Sequence, residues 1–524
     1  MLTPREELLA IQKSLFRHNR RLIQESIVIK EPGFERYEQT YKRSVRNFQR
    51  PAAIEEMLRA CRRADIVYVG DYHTLHQSQR SFLRILKSVV KKNKNFVIGL
   101  ELLHKRHQKI LDDYLAGKIS ESNFLEKVGL RKHWVFDLWE SFKPIFDFAK
   151  YHDAPVLAVD AAPKGADLKA RDLATAGLLA KYLRQNQGKK MFVFIGDLHI
   201  APPHLPKAVQ EALRSAGIQK KELILYQNSE SIYWKLAHRG LEHDTEVVRI
   251  DAKSFCRMHT PPVITQRSYL NWLEHEEGEL DYADAKHQFM ELADRITHFL
   301  KIDLGREKEK VEVYTCGDLS FFEKIEKSRR FSKEEIETIK RHIILSESYY
   351  ISKLRLVYLS NLSINHAAEE AAHFVKHICS GEEKPRHPFD AFYANVLHEA
   401  LGFFGSKTVN HQRKCYHEAD YLKLIKYFVR MRSPGKRHLE YETALLAYQA
   451  KMMEKRGEAF HDMELVLHTP DLFFALTHAL GYILGDKLYY ALLKGVMTKA
   501  GLRHLFYDPW KGDGKPFQVY WTLI

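Results

Sequence analysis

Gly70-Asp71-Tyr72-His73 and Gly196-Asp197-Leu198-His199 repeat one pattern, each directly after a short apolar run. Histidine gains and loses a proton near neutrality, and its neutral ring is a common metal ligand. An aspartate two residues earlier can orient the imidazole or bind a cation itself, and the glycine permits a sharp exit with close backbone approach. A third apolar run ends in Gly99-Leu100-Glu101, and Asp160 ends another. Imidazole and carboxylate together suit Zn, Fe or Mn, so His73, Glu101, Asp197 and His199 form a candidate set of metal ligands. Without metal, His73, Glu101 and His199 form a candidate catalytic trio, in which Glu101 polarises a histidine that activates water. One such tetrapeptide reads as a strand cap. Two at equivalent strand ends, with a rim carboxylate, point to function.

Six apolar runs carry these residues: Ile66–Gly70, Phe96–Glu101, Pro155–Asp160, Met191–Gly196, Leu223–Tyr226 and Val247–Ile250. Each is short and rich in Val, Ile or Phe, and amphipathic stretches such as Phe82, Leu83, Leu86, Val89 lie between them. That alternation predicts an α/β fold with a mostly parallel sheet flanked by helices, whose strand carboxyl ends form the binding rim. Beyond about residue 265 the pattern becomes long and helical, as in Ser332–Ser360, His366–His377, Asp390–Phe404 and Asp471–Lys494. Val311–Cys316 is read as a strand or a buried connection. The expected organisation is an N-terminal helical extension (1–59), an α/β domain (60–260) and a predominantly α-helical C-terminal domain (261–524). Thr260-Pro261-Pro262 is the expected join.

Composition narrows the function. The 524 residues, with 45% hydrophobic and 28% charged, belong to ordinary globular protein. Five cysteines, Cys61, Cys256, Cys316, Cys379 and Cys415, form neither a disulfide framework nor a zinc knuckle, so a reducing compartment is expected. The 82 Lys+Arg against 67 Asp+Glu give +15, which favours anionic partners, an anionic small molecule among them, without choosing between it, nucleic acid and lipid headgroups. Specific nucleic-acid binding is not expected, because Lys91-Lys92-Asn93-Lys94 has no interleaved aromatics. No apolar run reaches the ~18 residues of a membrane span and the start does not read as a signal peptide, so a cytoplasmic location is expected. A homo-oligomer is compatible with the sequence. P-loop, GxGxxG and GxSxG motifs are absent, which argues against a nucleotide enzyme and the usual serine hydrolase.

An ordered series of motifs then resembles a known family. It runs VYVGDYHTLHQSQ (67–79), IGLELLHKRHQKILDDYLAGKIS (98–120), with Glu101, Gln108, Tyr114 and Gly117 in family spacing, FKPIFDFAKYHDAPVLAVDAAP (142–163), Arg171-Asp172, and FIGDLHIAPPHLPKAV (194–209). Residues 60–220 are thereby similar to the ChaN-like haem-binding domain of the Tiki/TraB/erythromycin-esterase superfamily. The resemblance implies that His73, Glu101 and His199 line one pocket, with Asp71, Tyr72, His76, Arg171 and Asp172 as candidate cofactor-binding residues. It implies haem, or a divalent metal such as iron, as the ligand. The related esterases and proteases supply the alternative, a metal- or His/Glu-dependent hydrolase.

The helical half holds two ExxH spacings, Glu370/His373 and Glu458/His461, which with Glu399 and Glu442 match the count of a di-iron bundle site. ExxH recurs by chance in a chain this rich in Glu and His, so the chemistry is placed at the rim instead. Gly481 and Gly485, four apart on one helix face, read as a close helix contact.

Overall fold

The computed structural model describes all residues except 1–2, 27–31, 91–94, 131–137, 164, 277–282, 316–317, 347, 360–362, 382–385, 432–434 and 461–462. The basic run at 91–94, Cys316 and His461 therefore lie outside the described residues. The chain divides into two units, Phe16–Glu279, and Met1–Leu15 with Leu280–Ile524. The first unit is α/β and the second mostly helical. The helix Pro262–Glu276 follows the expected join yet falls in the first unit, where it buries Val263 and Leu270.

The first unit is built on a sheet of β1 (Arg50–Pro51), β2 (Ile66–Asp71), β3 (Phe96–His104), β4 (Val156–Asp160), β5 (Lys190–Gly196), β6 (Glu222–Gln227), β7 (Val247–Asp251) and β8 (Ser254–Arg257). Their order is β1-β7-β8-β6-β2-β5-β3-β4. From β8 to β4 every pairing is parallel, while β7 pairs antiparallel with β1 and β8. All six expected strands are present. Of the two added ones, β1 has two residues and β8 only Phe255 and Cys256 between polar ends, so neither shows an apolar run.

Central strands need apolar side chains on both faces, and every residue of β2 is buried. The helix His76–Val90 covers one face by presenting Phe82, Ile85, Leu86 and Val89 at helical spacing. Its Phe82 ring stacks on Phe194 of β5 at 4.3 Å. Three of the residues that carry the family resemblance serve this architecture. Gln108 clamps β4, donating to the Val156 carbonyl and accepting from the Ala158 N–H, both at 2.8 Å. Tyr114 stacks on Phe124 at 4.4 Å in the core. Gly117 closes a turn at φ 72°, where a side chain would be strained.

In the second unit the expected helix over Ser332–Ser360 is replaced by the helix Lys333–Ser346 and two strands, β10 (Ser348–Ile351) and β11 (Leu356–Leu359), which join β9 (Glu312–Thr315) in a small sheet. Tyr-Tyr-Ile and Leu-Val-Tyr-Leu are strand formers whose local preference overrides the longer apolar period. The helices Ile364–Ser380, Pro388–Val409 and Pro470–Leu493 form the bundle core. Gly481 and Gly485 both face the helix Pro388–Val409: an added Cβ would lie 2.4 Å from Glu399 Cβ and 2.5 Å from the Ala400 carbonyl oxygen.

Candidate site at the strand ends

β2 and β5 are neighbours in register, Asp71 opposite Gly196, so the two repeated tetrapeptides emerge side by side. β3 flanks β5 on its other side. Its register against β4 shifts between Leu100 and His104, which places Glu101 within the irregularity and carries the strand three residues past the expected end. Such a shift re-aims a side chain, and Glu101 turns toward both histidines. Its Oε2 lies 3.6 Å from His73 Nε2 and its Oε1 3.6 Å from His199 Nε2. The three residues singled out from the sequence therefore converge on one carboxylate.

Gly196 sits at that convergence. A Cβ at this position would stand 3.3 Å from Glu101 Oε2, 3.5 Å from His73 Nε2 and 3.6 Å from His199 Cδ2. Its own N–H donates to Glu101 Oε2 at 2.7 Å, and Arg171 donates to Oε1 at 2.8 Å. Burial works against charge on Glu101, yet His199, His73, Arg171 and this N–H together hold it below the usual carboxylate range.

Each imidazole is held from behind by a carboxylate. His73 Nδ1 and Asp71 Oδ2 are 2.7 Å apart, and Gln79 donates to the other Asp71 oxygen at 2.6 Å. Burial opposes charge on His73, but the charge and hydrogen bond of Asp71, with Glu101 behind them, outweigh it and push the imidazole up to about 9. His199 Nδ1 lies 2.7 Å from Asp172 Oδ1.

The repeated pattern predicts that Asp71 and Asp197 orient their histidines or join them as ligands; Asp71 does face His73, whereas Asp197 does not orient His199. Asp71 still belongs to β2, whereas Asp197 begins a short 3-10 turn, Asp197–Ile200, that rotates its side chain under Gly70. A Cβ on Gly70 would fall 1.7 Å from Asp197 Oδ1. Asp197 Oδ2 accepts from Tyr41 at 3.2 Å, Oδ1 is buried without a hydrogen-bond partner, and burial pushes the carboxyl up to about 7. Asp172, at the start of the helix Leu168–Gln185, takes the place beside His199.

The other candidates separate. Arg171 reaches Glu101 and lies 3.7 Å from Asp160. Tyr72 is half-buried near Tyr269 and Asp197. His76 is exposed and pairs with Ser141. His104 Nε2 bonds the Ala162 carbonyl at 3.1 Å.

Two site residues escaped the sequence. Tyr37, on the helix Pro32–Ser44, donates to Asp172 Oδ2 at 2.6 Å and stands 3.1 Å from His199 Nδ1. Its ring stacks on His204 at 3.6 Å. Tyr41, one turn on, covers Asp197. Burial first, then the charge of Asp172, raises the Tyr37 hydroxyl far above its ordinary value, so it acts as a donor. A helix outside the motif series gave no signal beyond its aromatic spacing.

Fold and site define a parallel-sheet domain whose strand ends carry two carboxylate-backed imidazoles over a shared glutamate. Residues 57–171 match the family described as haem-binding uptake, Tiki superfamily, ChaN. Over this stretch the chain is similar to ChaN. A solved structure described as cofacial haem binding to ChaN of Campylobacter jejuni is similar at 16% identity and a TM-score of 0.28, covering 34% of this chain and 87% of that one. No curated protein matches the chain.

Proposed function

We propose that the rim of the first unit binds haem, with His73 as the iron-ligating imidazole. The observation that carries the reading is the convergence of His73 and His199 on Glu101, of which His73 and Glu101 lie in the stretch, residues 57–171, that matches a haem-binding family. The donor set fits: imidazole is a common axial ligand of haem iron, and Gly196 leaves room where both rings meet. When bound, haem supplies an iron centre that accepts such a nitrogen. His73 is the more accessible ring, its side chain 33% exposed against 5% for His199. Asp71 fixes its orientation through Nδ1, and the ring, which Asp71 and Glu101 hold protonated at neutral pH, would give up its Nε2 proton on taking iron there. Arg171 supports the reading as a cation at the rim able to face a propionate.

Titrating haemin into the full chain and following Soret absorbance tests this. His73→Ala is expected to weaken binding more than 10-fold, and Glu101→Gln and Arg171→Ala less. Unchanged affinity in His73→Ala would overturn the assignment.

One observation favours a second reading, a hydrolase. Two base-and-orienter pairs, Asp71–His73 and Asp172–His199, flank a glutamate held ionised. Hydrolysis of an activated ester that disappears in both His73→Ala and His199→Ala would support it.

A further inference from the structure

The helical unit gathers a second set of ligating side chains, unconnected with the rim chemistry. Glu369 lies on the helix Ile364–Ser380, Glu399 on Pro388–Val409 and His478 on Pro470–Leu493. Each offers one ligand atom, and these atoms lie within 4.8 Å of one another. His478 Nδ1 and Glu399 Oε2 are 2.9 Å apart. Ligand atoms around an ion with bonds near ~2.1 Å stand roughly 3–4 Å from each other, so only a small inward movement is needed.

A separate observation points to a ligand. His373 is only 6% exposed, and its Nε2 is buried with no hydrogen-bond partner. Its Nδ1 faces Glu370 Oε2 at 3.4 Å, and Ser348 donates to the other Glu370 oxygen at 3.2 Å. A carboxylate behind one nitrogen with the second turned inward is the usual arrangement of a metal-bound histidine. That second nitrogen faces the turn of helix bearing Glu399, where Gly402 leaves it space: a Cβ there would lie 2.2 Å away.

Charge and access agree. Glu369, Glu370 and Glu399 share the cluster with the guanidinium of Arg413, which donates to Glu369 at 2.9 Å and to the Tyr482 hydroxyl at 2.7 Å. Three carboxylates against one fixed cation favour a dication. A cavity of about 400 Å³, lined by Cys415, Tyr421, Leu439, Ala475, His478 and Tyr482, opens onto the His478 side.

We propose that Glu369, Glu399 and His478, with His373 beside them, bind a divalent first-row transition ion reached through this cavity. Two carboxylates and one or two imidazoles suit Mn²⁺, Fe²⁺ or Zn²⁺. The pairing differs from the ExxH count: Glu399 contributes, but Glu370 stands behind His373 and His478 supplies the imidazole from a third helix. Cys415, His417 and Asp486 form a second triad, set apart by its thiol, so the spectrum of a bound ion distinguishes the two.

The test uses the full chain carrying His73→Ala and His199→Ala, so that the rim offers no imidazole to the ion. Equilibrium dialysis against Zn²⁺ is expected to load one ion per chain. His478→Ala, at a half-exposed position, and Glu399→Gln should each lower affinity at least 100-fold with an unchanged circular dichroism spectrum. Glu370→Gln, acting behind His373, should cost 10–100-fold. Co²⁺ loading should give a d–d spectrum without a thiolate charge-transfer band. No saturable ion, full affinity in His478→Ala, or a thiolate band lost in Cys415→Ser would overturn the proposal.

Discussion

Replacing Asp71 by Asn isolates what holds His73 charged. The variant keeps an oxygen for Gln79, but places an amide N–H₂ opposite His73 Nδ1, which must then be the unprotonated acceptor. Burial alone lowers an imidazole, so with the aspartate charge gone the midpoint should fall from about 9 to its ordinary 6.5 or below. Taken whole, that displacement is worth about 3 kcal/mol, and solvent screening of a ring one-third exposed reduces it to about 1–2 kcal/mol. Because the folded value lies above the unfolded one, this stabilisation is fully present below pH 6.5 and is lost as pH rises through about 9. Two measurements read it: the ¹³Cε1 resonance of His73, assigned by its loss in His73→Ala, and urea unfolding at pH 6 and pH 9.5. Asp71→Asn should narrow the stability difference between the two pH values. A His73 midpoint near 6.5 in the unaltered chain, or one that does not move in the variant, would refute the reasoning.

Tyr37→Phe removes a donor from the buried Asp172 and should cost about 1–3 kcal/mol in urea unfolding, with His199 losing its second neighbour. Gly70→Ala drives a methyl into Asp197 and should lower stability by about 1–3 kcal/mol in thermal melts, a loss that Asp197→Ala partly relieves. Gly485→Ala meets the Ala400 carbonyl, a backbone atom that cannot swing aside, and should destabilise the helical unit by a similar ~1–3 kcal/mol or more.

The sheet was legible because buried parallel strands write themselves as apolar runs, as β2 through β6 do, and antiparallel β7 opens on an apolar pair as well. β1 and β8 were not, since β1 has two residues and β8 holds only Phe255 and Cys256 between polar ends. The rim trio was legible for a related reason: residues that close parallel strands share one edge whatever the loops do. Orientation was a different matter. Asp71 and Asp197 occupy equal places in the sequence, but one ends a strand and the other opens a turn, and only backbone geometry separates them. Tyr37 reaches His199 from a helix well away from either tetrapeptide, a juxtaposition that spacing along the chain cannot encode. In the helical half, ExxH directed attention to Glu370 and His373, whereas the ligand atoms brought together belong to three helices.

The central claim is that His73 Nε2 takes haem iron at the rim shared with Glu101 and His199. A crystal structure of the full chain loaded with haemin, with an iron anomalous-difference map, tests it most directly. The account predicts an iron peak within bonding distance of His73 Nε2, beside Gly196, with Arg171 close to a propionate. An iron peak ligated by residues outside this rim, or none in a chain that binds haemin in solution, would contradict it.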